Sequence, residues 1–153
     1  MYYVTICTYN RQEILSKIDS NYCRGRVPPL PTNQIEIKNT EIGEIIENTI
    51  KIINQKDNVK ICNYIIMPNH IHCIIQLEKN QGRDGTLPLQ AIIGRFKSFT
   101  TKQYNLLNNT IGIKLWQRNY FEHIIRNEKE YLEICKYMKE NPIKYYLNKN
   151  NII

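Results

Sequence analysis

Histidine, tryptophan and organised cysteine are what this chain has least of. Its 153 residues include three histidines and one tryptophan. The five cysteines (Cys7, Cys23, Cys62, Cys73, Cys135) form no Cys-x-x-Cys pair. Their odd number and wide spacing exclude a disulfide framework, and Cys62 and Cys73, inside apolar strands, read as small core residues. There is no HExxH motif, no cysteine cluster and no acidic loop of calcium-binding spacing. No apolar run reaches the roughly 18–20 residues needed to span a bilayer. The opening residues Met1 to Ile6 lack a basic leader and read as a strand, not a signal peptide. We therefore expect a cytoplasmic protein with no membrane partner.

What is present suits an ordered globular chain. Hydrophobic residues make up 42% of the sequence, and a chain of this size buries roughly 70% of its unfolded surface without a disulfide or structural metal. A single domain over residues 1–153 is expected. The net charge of +7 makes nucleic acid the natural partner, although charge alone is a weak argument.

Tyr3 to Thr8, rich in aromatic and β-branched residues, reads as a first strand closed by Asn10-Arg11. Residues 21–38 carry Gly25, Pro28, Pro29 and Pro31 and read as a loop, with a short strand at 34–37. Ile42, Ile45, Ile46, Thr49, Ile50 and Ile53 recur at helical spacing and predict a helix from Glu41 to about Asn54. Val59 to Ile66 and Ile71 to Leu77 predict an antiparallel strand pair joined at Met67-Pro68-Asn69. Residues 81–86 have little to bury and predict a disordered tip. A helix opens at Pro88 with Leu89, Ile92, Ile93, Phe96 and Phe99 inward. A short strand follows over Tyr120 to Ile125. Asn127 as cap, with Glu130 three residues on, opens a last helix. Tyr131, Ile134, Cys135 and Met138 form its buried stripe, and Asn141-Pro142 ends or kinks it. This order predicts an α+β, ferredoxin-like β-α-β-β-α-β antiparallel sheet with two helices on one face. The additional C-terminal helix covers an edge or the opposite face.

The chemistry centres on His70-Ile71-His72. On a strand, His70 and His72 share one face while Ile71 and Cys73 point the other way, so the imidazoles start ~6–7 Å apart. Such a pair is either a solvent-facing feature of an amphipathic strand or two ligands of a metal site. A third ligand must come from elsewhere. On the last helix Glu130, Glu133, Tyr137 and Asn141 form a polar stripe at three- and four-residue steps. If that stripe covers the histidines, Asn141 offers an amide oxygen and Tyr137 a phenol. A phenol ionises only near pH 10 and attacks poorly unaided, but a metal-polarised phosphate makes its attack plausible. Tyr137 is also one of eleven tyrosines, any of which can be a packing residue. His123 is another candidate ligand or base, or a polar anchor.

Residues 115–123, Leu-Trp-Gln-Arg-Asn-Tyr-Phe-Glu-His, form an aromatic and basic patch. Trp116 suits base stacking and Arg118 a phosphate, although core packing is the commoner fate of Trp116 and Phe121. Arg95, Lys97, Lys102 and Arg126 are further candidates for DNA contact.

These segments together resemble the IS200-like single-tyrosine transposases of the His-hydrophobe-His nuclease superfamily. The likeness is greatest to the branch associated with repeated extragenic palindromes. It is carried by Tyr64-Ile65-Ile66-Met67-Pro68-Asn69-His70-Ile71-His72, by residues 92–98, by residues 115–126, and by Tyr137-Met138-Lys139-Glu140-Asn141-Pro142. It implies a metal-dependent single-stranded DNA endonuclease and strand transferase acting near hairpins. His70, His72 and Asn141 would hold Mg²⁺ or Mn²⁺, and Tyr137 would form a 5′-phosphotyrosine bond. Tyr120 is the rival nucleophile. The loop Ser20–Asn39 is long beside the shortest members and no tail follows Ile153, departures expected to bear on target recognition more than on cleavage. The resemblance allows a monomer or a homodimer. The competing readings are a noncatalytic single-stranded nucleic-acid binder and a metal-dependent nuclease that uses water.

Overall fold

Aromatic and β-branched residues from Tyr2 onward favour an extended backbone, and both faces of the resulting strand are apolar enough to be covered. In the computed structural model of the protein, which describes residues 1–20, 35–55, 59–77 and 88–151, this strand is β1 (Tyr2–Cys7). A 3₁₀ turn, Tyr9–Arg11, follows, then β2 (Ser16–Ser20), β3 (Ile35–Asn39), α1 (Glu41–Asn54), β4 (Val59–Met67) and β5 (His70–Leu77). Helix α2 (Leu89–Leu107), strand β6 (Phe121–Ile124) and helix α3 (Glu128–Lys149) complete the order. Cys23 and the expected tip at 81–86 lie outside the described residues.

The expected β-α-β-β-α-β core is formed by β1, α1, β4, β5, α2 and β6, with an antiparallel sheet in the order β4-β5-β1-β6. One face buries Val4, Ile6, Ile71, Cys73 and Ile75 against Ile42, Ile46 and Ile50 of α1 and Leu89, Ile93 and Phe96 of α2. The other face sets Tyr3 and Ile74 against Met138 of α3, with Ile134 and Cys135 alongside. Thus α3 takes the opposite face, and strand alternation sends successive residues of β5 to different helices. No helix among the described residues is long and apolar enough to cross a membrane.

Four local expectations are corrected. The segment after β1 carries β2, which pairs antiparallel with β3 from Ser16↔Asn39 to Ser20↔Ile35, so the proposed short strand has a partner. Cys62 is exposed, because the β4 register shifts between Ile61 and Asn63 and a bulge turns its side chain outward. Phe99 is 46% exposed, since the buried stripe of α2 steps from Phe96 to Thr100. Finally, α3 runs through Pro142 to Lys149. Packing keeps the helix going although proline cannot donate to the carbonyl of Met138.

Helix α1 begins where Thr40 caps it, its hydroxyl accepting from the Gly43 N–H at 3.3 Å. Gly43 is then pressed against the chain entering β2: an added Cβ would lie 2.1 Å from the Leu15 carbonyl oxygen. Alanine is the better helix former by about 1 kcal/mol, yet this contact is with rigid backbone. Gly43→Ala should therefore lower stability by about 2–3 kcal/mol in urea unfolding; equal or higher stability would show that the approach is relieved without cost.

Candidate active site

The two-residue connection Pro68-Asn69 turns β4 directly into β5, with Met67 opposite His70. The antiparallel register then sets Cys7 opposite His70 and Thr5 opposite His72. Both histidines consequently face α3, and both are buried, at 8% and 4% exposure. Their Nε2 atoms are 3.0 Å apart. From α3, Asn141 is buried as well and brings its amide nitrogen to 2.7 Å from the same His72 Nε2. Tyr137, one turn earlier, is 45% exposed, and its ring meets the His72 ring edge-on at 5.6 Å between centroids.

The outer nitrogens are held too. His70 Nδ1 is 2.6 Å from Asn69 Oδ1, and His72 Nδ1 lies 2.7 Å from the Tyr3 hydroxyl and 2.8 Å from that of Thr5. If Nδ1 of His70 donates to the Asn69 oxygen, its Nε2 is a bare lone pair. If His72 Nδ1 donates to Tyr3 or Thr5, its Nε2 is an acceptor too and takes the Asn141 amide proton. The two Nε2 lone pairs are then 3.0 Å apart, placed where a shared cation would take both in exchange for that proton. Burial pushes His70 down to about 4, with the Arg11 cation adding to the effect. His72 is pushed down to about 3 by burial and then by His70. Both imidazoles are therefore neutral near pH 7, the state in which a histidine ligates a metal. Among the described residues no three His, Cys, Asp or Glu side chains gather as a metal cluster; the third group beside the two imidazoles is the Asn141 carboxamide. Half a turn about its side chain presents the Asn141 carbonyl oxygen in place of its NH₂.

These groups open into a cleft of about 570 Å³. Its lining includes Tyr3, Thr5, His70, His72, Tyr137 and Asn141, and on the far wall Gln117, Asn119, Tyr120 and Phe121. Arg11 also lines it, and among the described residues no carboxylate does. Sequence reasoning did not single out Arg11, Tyr3 or Thr5. The pairing of β1 with β5 is what brings them in, and no local motif announces it.

The other sequence candidates fall elsewhere. Arg95, Lys102, Arg118 and Arg126 are exposed, and none lines the cleft. Trp116 is 5% exposed, packs against Phe96 and donates its Nε1 proton to Thr100 Oγ1 at 2.8 Å. Its faces are core surface, so it is not a stacking platform; Phe121, 59% exposed, is the aromatic that faces out. Tyr120 lines the cleft, but burial and then the Glu122 carboxylate raise its pKa and hold its proton on. His123 sits 2.5 Å from Glu130 and ties β6 to the first turn of α3. Lys97 is spent within the fold: its ammonium donates to the carbonyls of Gln117, Arg118 and Asn119 at 2.9, 3.2 and 3.1 Å.

The IS200-like transposase family model matches residues 1–141. The chain belongs to this family. A protein from Haemophilus influenzae, described as uncharacterized, is 31% identical across 93% of this chain and 79% of its own length. The REP-associated tyrosine transposase of Escherichia coli K12 is 26% identical over 67% of this chain. That alignment spans 55% of the Escherichia coli protein, so the chain covers little more than half of that relative. Among solved structures, a REP-associated tyrosine transposase bound to a REP hairpin superposes with a TM-score of 0.58. It is 20% identical and covers 94% of this chain and 67% of that one. At that identity the match speaks for a shared fold, and it spans the IS200-like sheet and α3 together.

The far wall of the cleft depends on Lys97. Lys97→Met keeps most of the stem's packing and removes the three bonds. It should cost about 1–3 kcal/mol in stability and accelerate amide hydrogen exchange across Gln117–Tyr120. Unchanged exchange there would show that the wall is held by other contacts.

Proposed function

We propose that this IS200-like chain is a metal-dependent single-stranded DNA endonuclease and strand transferase that works through a covalent tyrosine intermediate. The observation that carries the reading is the convergence on His72 Nε2 of His70 Nε2 at 3.0 Å and the Asn141 amide at 2.7 Å, beside Tyr137 in one cleft. The residues fit a hard divalent ion such as Mg²⁺ or Mn²⁺ held by His70, His72 and the Asn141 oxygen. When bound, that ion would polarise a phosphate oxygen, and its charge would not be quenched by the neutral donor set.

The chain's own residues supply the rest. Asn69 orients the His70 ring, and Tyr3 and Thr5 orient that of His72. Tyr137 is the nucleophile: its phenolic oxygen attacks phosphorus and the bond to the 3′-oxygen breaks. The strand ends as a 5′-phosphotyrosine and a free 3′-hydroxyl, the phenol proton having passed to solvent and the leaving oxygen having gained one. Attack by another 3′-hydroxyl reverses the step, so the phosphodiester energy is conserved in the protein–DNA bond. Lys144, 5.8 Å from the centroid of the Tyr137 ring, keeps positive charge beside the attacking group. The hairpin bound by the structurally similar REP-associated transposase supports a hairpin-containing single strand as the partner, and the net charge of +7 is in keeping with it.

Incubation with end-labelled hairpin single strands and Mn²⁺ should give an adduct that survives denaturing electrophoresis. Tyr137→Phe should abolish it, Tyr120→Phe should retain it, and His72→Ala should lower its yield by at least about 100-fold. An adduct made equally by wild type and Tyr137→Phe would sink the assignment.

A further inference from the structure

The cations expected from sequence to meet DNA lie off the cleft or are tied up within the fold, so the cleft itself raises the question of what receives a phosphate. Among the described residues Arg11 is the cationic side chain that lines it, and none of them brings a carboxylate. None of the salt bridges among the described residues involves Arg11. Its side chain is exposed, a free planar fork of donors of the kind that meets phosphate oxygens in pairs.

The backbone adds an independent observation. Arg11 has φ of 55°, in the left-handed region. Four non-glycine residues among those described adopt positive φ, and the other three are Asn10, Asn109 and Asn151. Asparagine enters that region readily and arginine does not. A residue held there against preference, at the rim of a candidate active site, points to use. The turn is also built into the site. The Arg11 N–H donates to the Thr8 carbonyl at 3.1 Å. Thr8, fully buried, gives its N–H to the Asn69 carbonyl at 3.0 Å, and its hydroxyl lies between the Gln12 carbonyl at 2.8 Å and the Asn69 carbonyl at 3.0 Å. Asn69 in turn holds His70. The Arg11 turn and the His70 ring thus belong to one hydrogen-bonded unit: backbone bonds tie the turn to Asn69 through Thr8, and the Asn69 side chain ties it to the ring.

We infer that Arg11 is the phosphate-binding cation of the cleft, gripping nonbridging oxygens of the DNA backbone beside His70. The inference deepens the nicking reading and rests on it for the identity of the phosphate. It assigns the left-handed turn a purpose: it aims the guanidinium into the cleft where an ordinary extended or helical backbone would carry it past.

Binding is best measured in the Tyr137→Phe protein with an uncleaved hairpin single strand, titrated at several salt concentrations. Each phosphate contact on a single strand contributes a slope of about −0.7 in log affinity against log salt. Adding Arg11→Gly should make the slope shallower by about that amount, while Arg11→Lys should keep it. In the otherwise wild-type chain, Arg11→Gly should slow adduct formation by about 100-fold or more, with Arg11→Lys intermediate because it lacks the planar fork. Glycine suits the left-handed turn, so the Tm of Arg11→Gly should be unchanged or higher by up to about 4 °C. An unchanged salt slope, or an adduct rate equal to wild type, would overturn the inference. So would a lowered Tm, since it would make the side chain a structural one. Failure of the nicking reading looks different: wild type then forms no tyrosine-dependent adduct, while the salt slope on uncleaved DNA still decides the role of Arg11.

Discussion

The 2.7 Å contact between the Asn141 amide and His72 Nε2 joins the last helix to the sheet, and the cleft exists only while α3 lies across that face. The apolar grip available to α3 is modest. Met138 and Pro142 are its buried apolar side chains, with half-buried Tyr131, Ile134 and Cys135 packed alongside Met138. Polar anchors hold the two ends instead. Glu130 takes His123 and the Arg126 N–H near the start, and Glu13 accepts from Tyr145 and Lys149 near the finish. Surface pairs of this kind contribute little singly. Placed at both ends of a 22-residue helix, they fix the position of its middle, where Tyr137 and Asn141 stand.

Legibility in the sequence followed the range of the interaction. Helix α1 was readable, from near Glu41 to about Asn54, because its isoleucines keep helical spacing. The start of α3 was readable because Asn127 and Glu130 form a local capping signal. The shared face of His70 and His72 followed from strand alternation alone. What depends on partners far away in sequence was not readable. The β2 strand draws its hydrogen bonds from β3, the Cys62 bulge is a matter of β4 register against β5, and Arg11 enters the cleft through pairing that no nearby motif signals. Trp116 and Phe121 show the limit from another side. Both are aromatic in one short segment, and only the isolated bridge between Thr8 and Trp116 decides which is buried.

The charge of the chain and the charge of its cleft are separate matters. A net +7 spread over exposed lysines and arginines raises the encounter rate with any polyanion and selects no position on it. Inside the cleft the two histidines are neutral, Asn141 adds only an amide, and carboxylates are missing from the lining among the described residues. Such a site has little charge of its own to repel a phosphate. It also has little to hold a cation permanently, so cation and phosphate would bind best together, each relieving the other. That coupling distinguishes it from a carboxylate cage, which binds its metal whether or not substrate is present.

Two departures from local backbone preference flank this site. Arg11 occupies the left-handed region on the β1 side, and Pro142 sits inside α3 immediately after Asn141. Proline disfavours a helical conformation in the residue before it and leaves the Met138 carbonyl without its usual donor, yet Asn141 is held helical and buried. The two differ in what they fill. Pro142 is buried, so its ring adds packing that an alanine would lose. Arg11 is exposed and fills no core space. Where a local rule is broken without a packing gain, function is the usual compensation, and Arg11, which lines the cleft with His70 and His72, is that case.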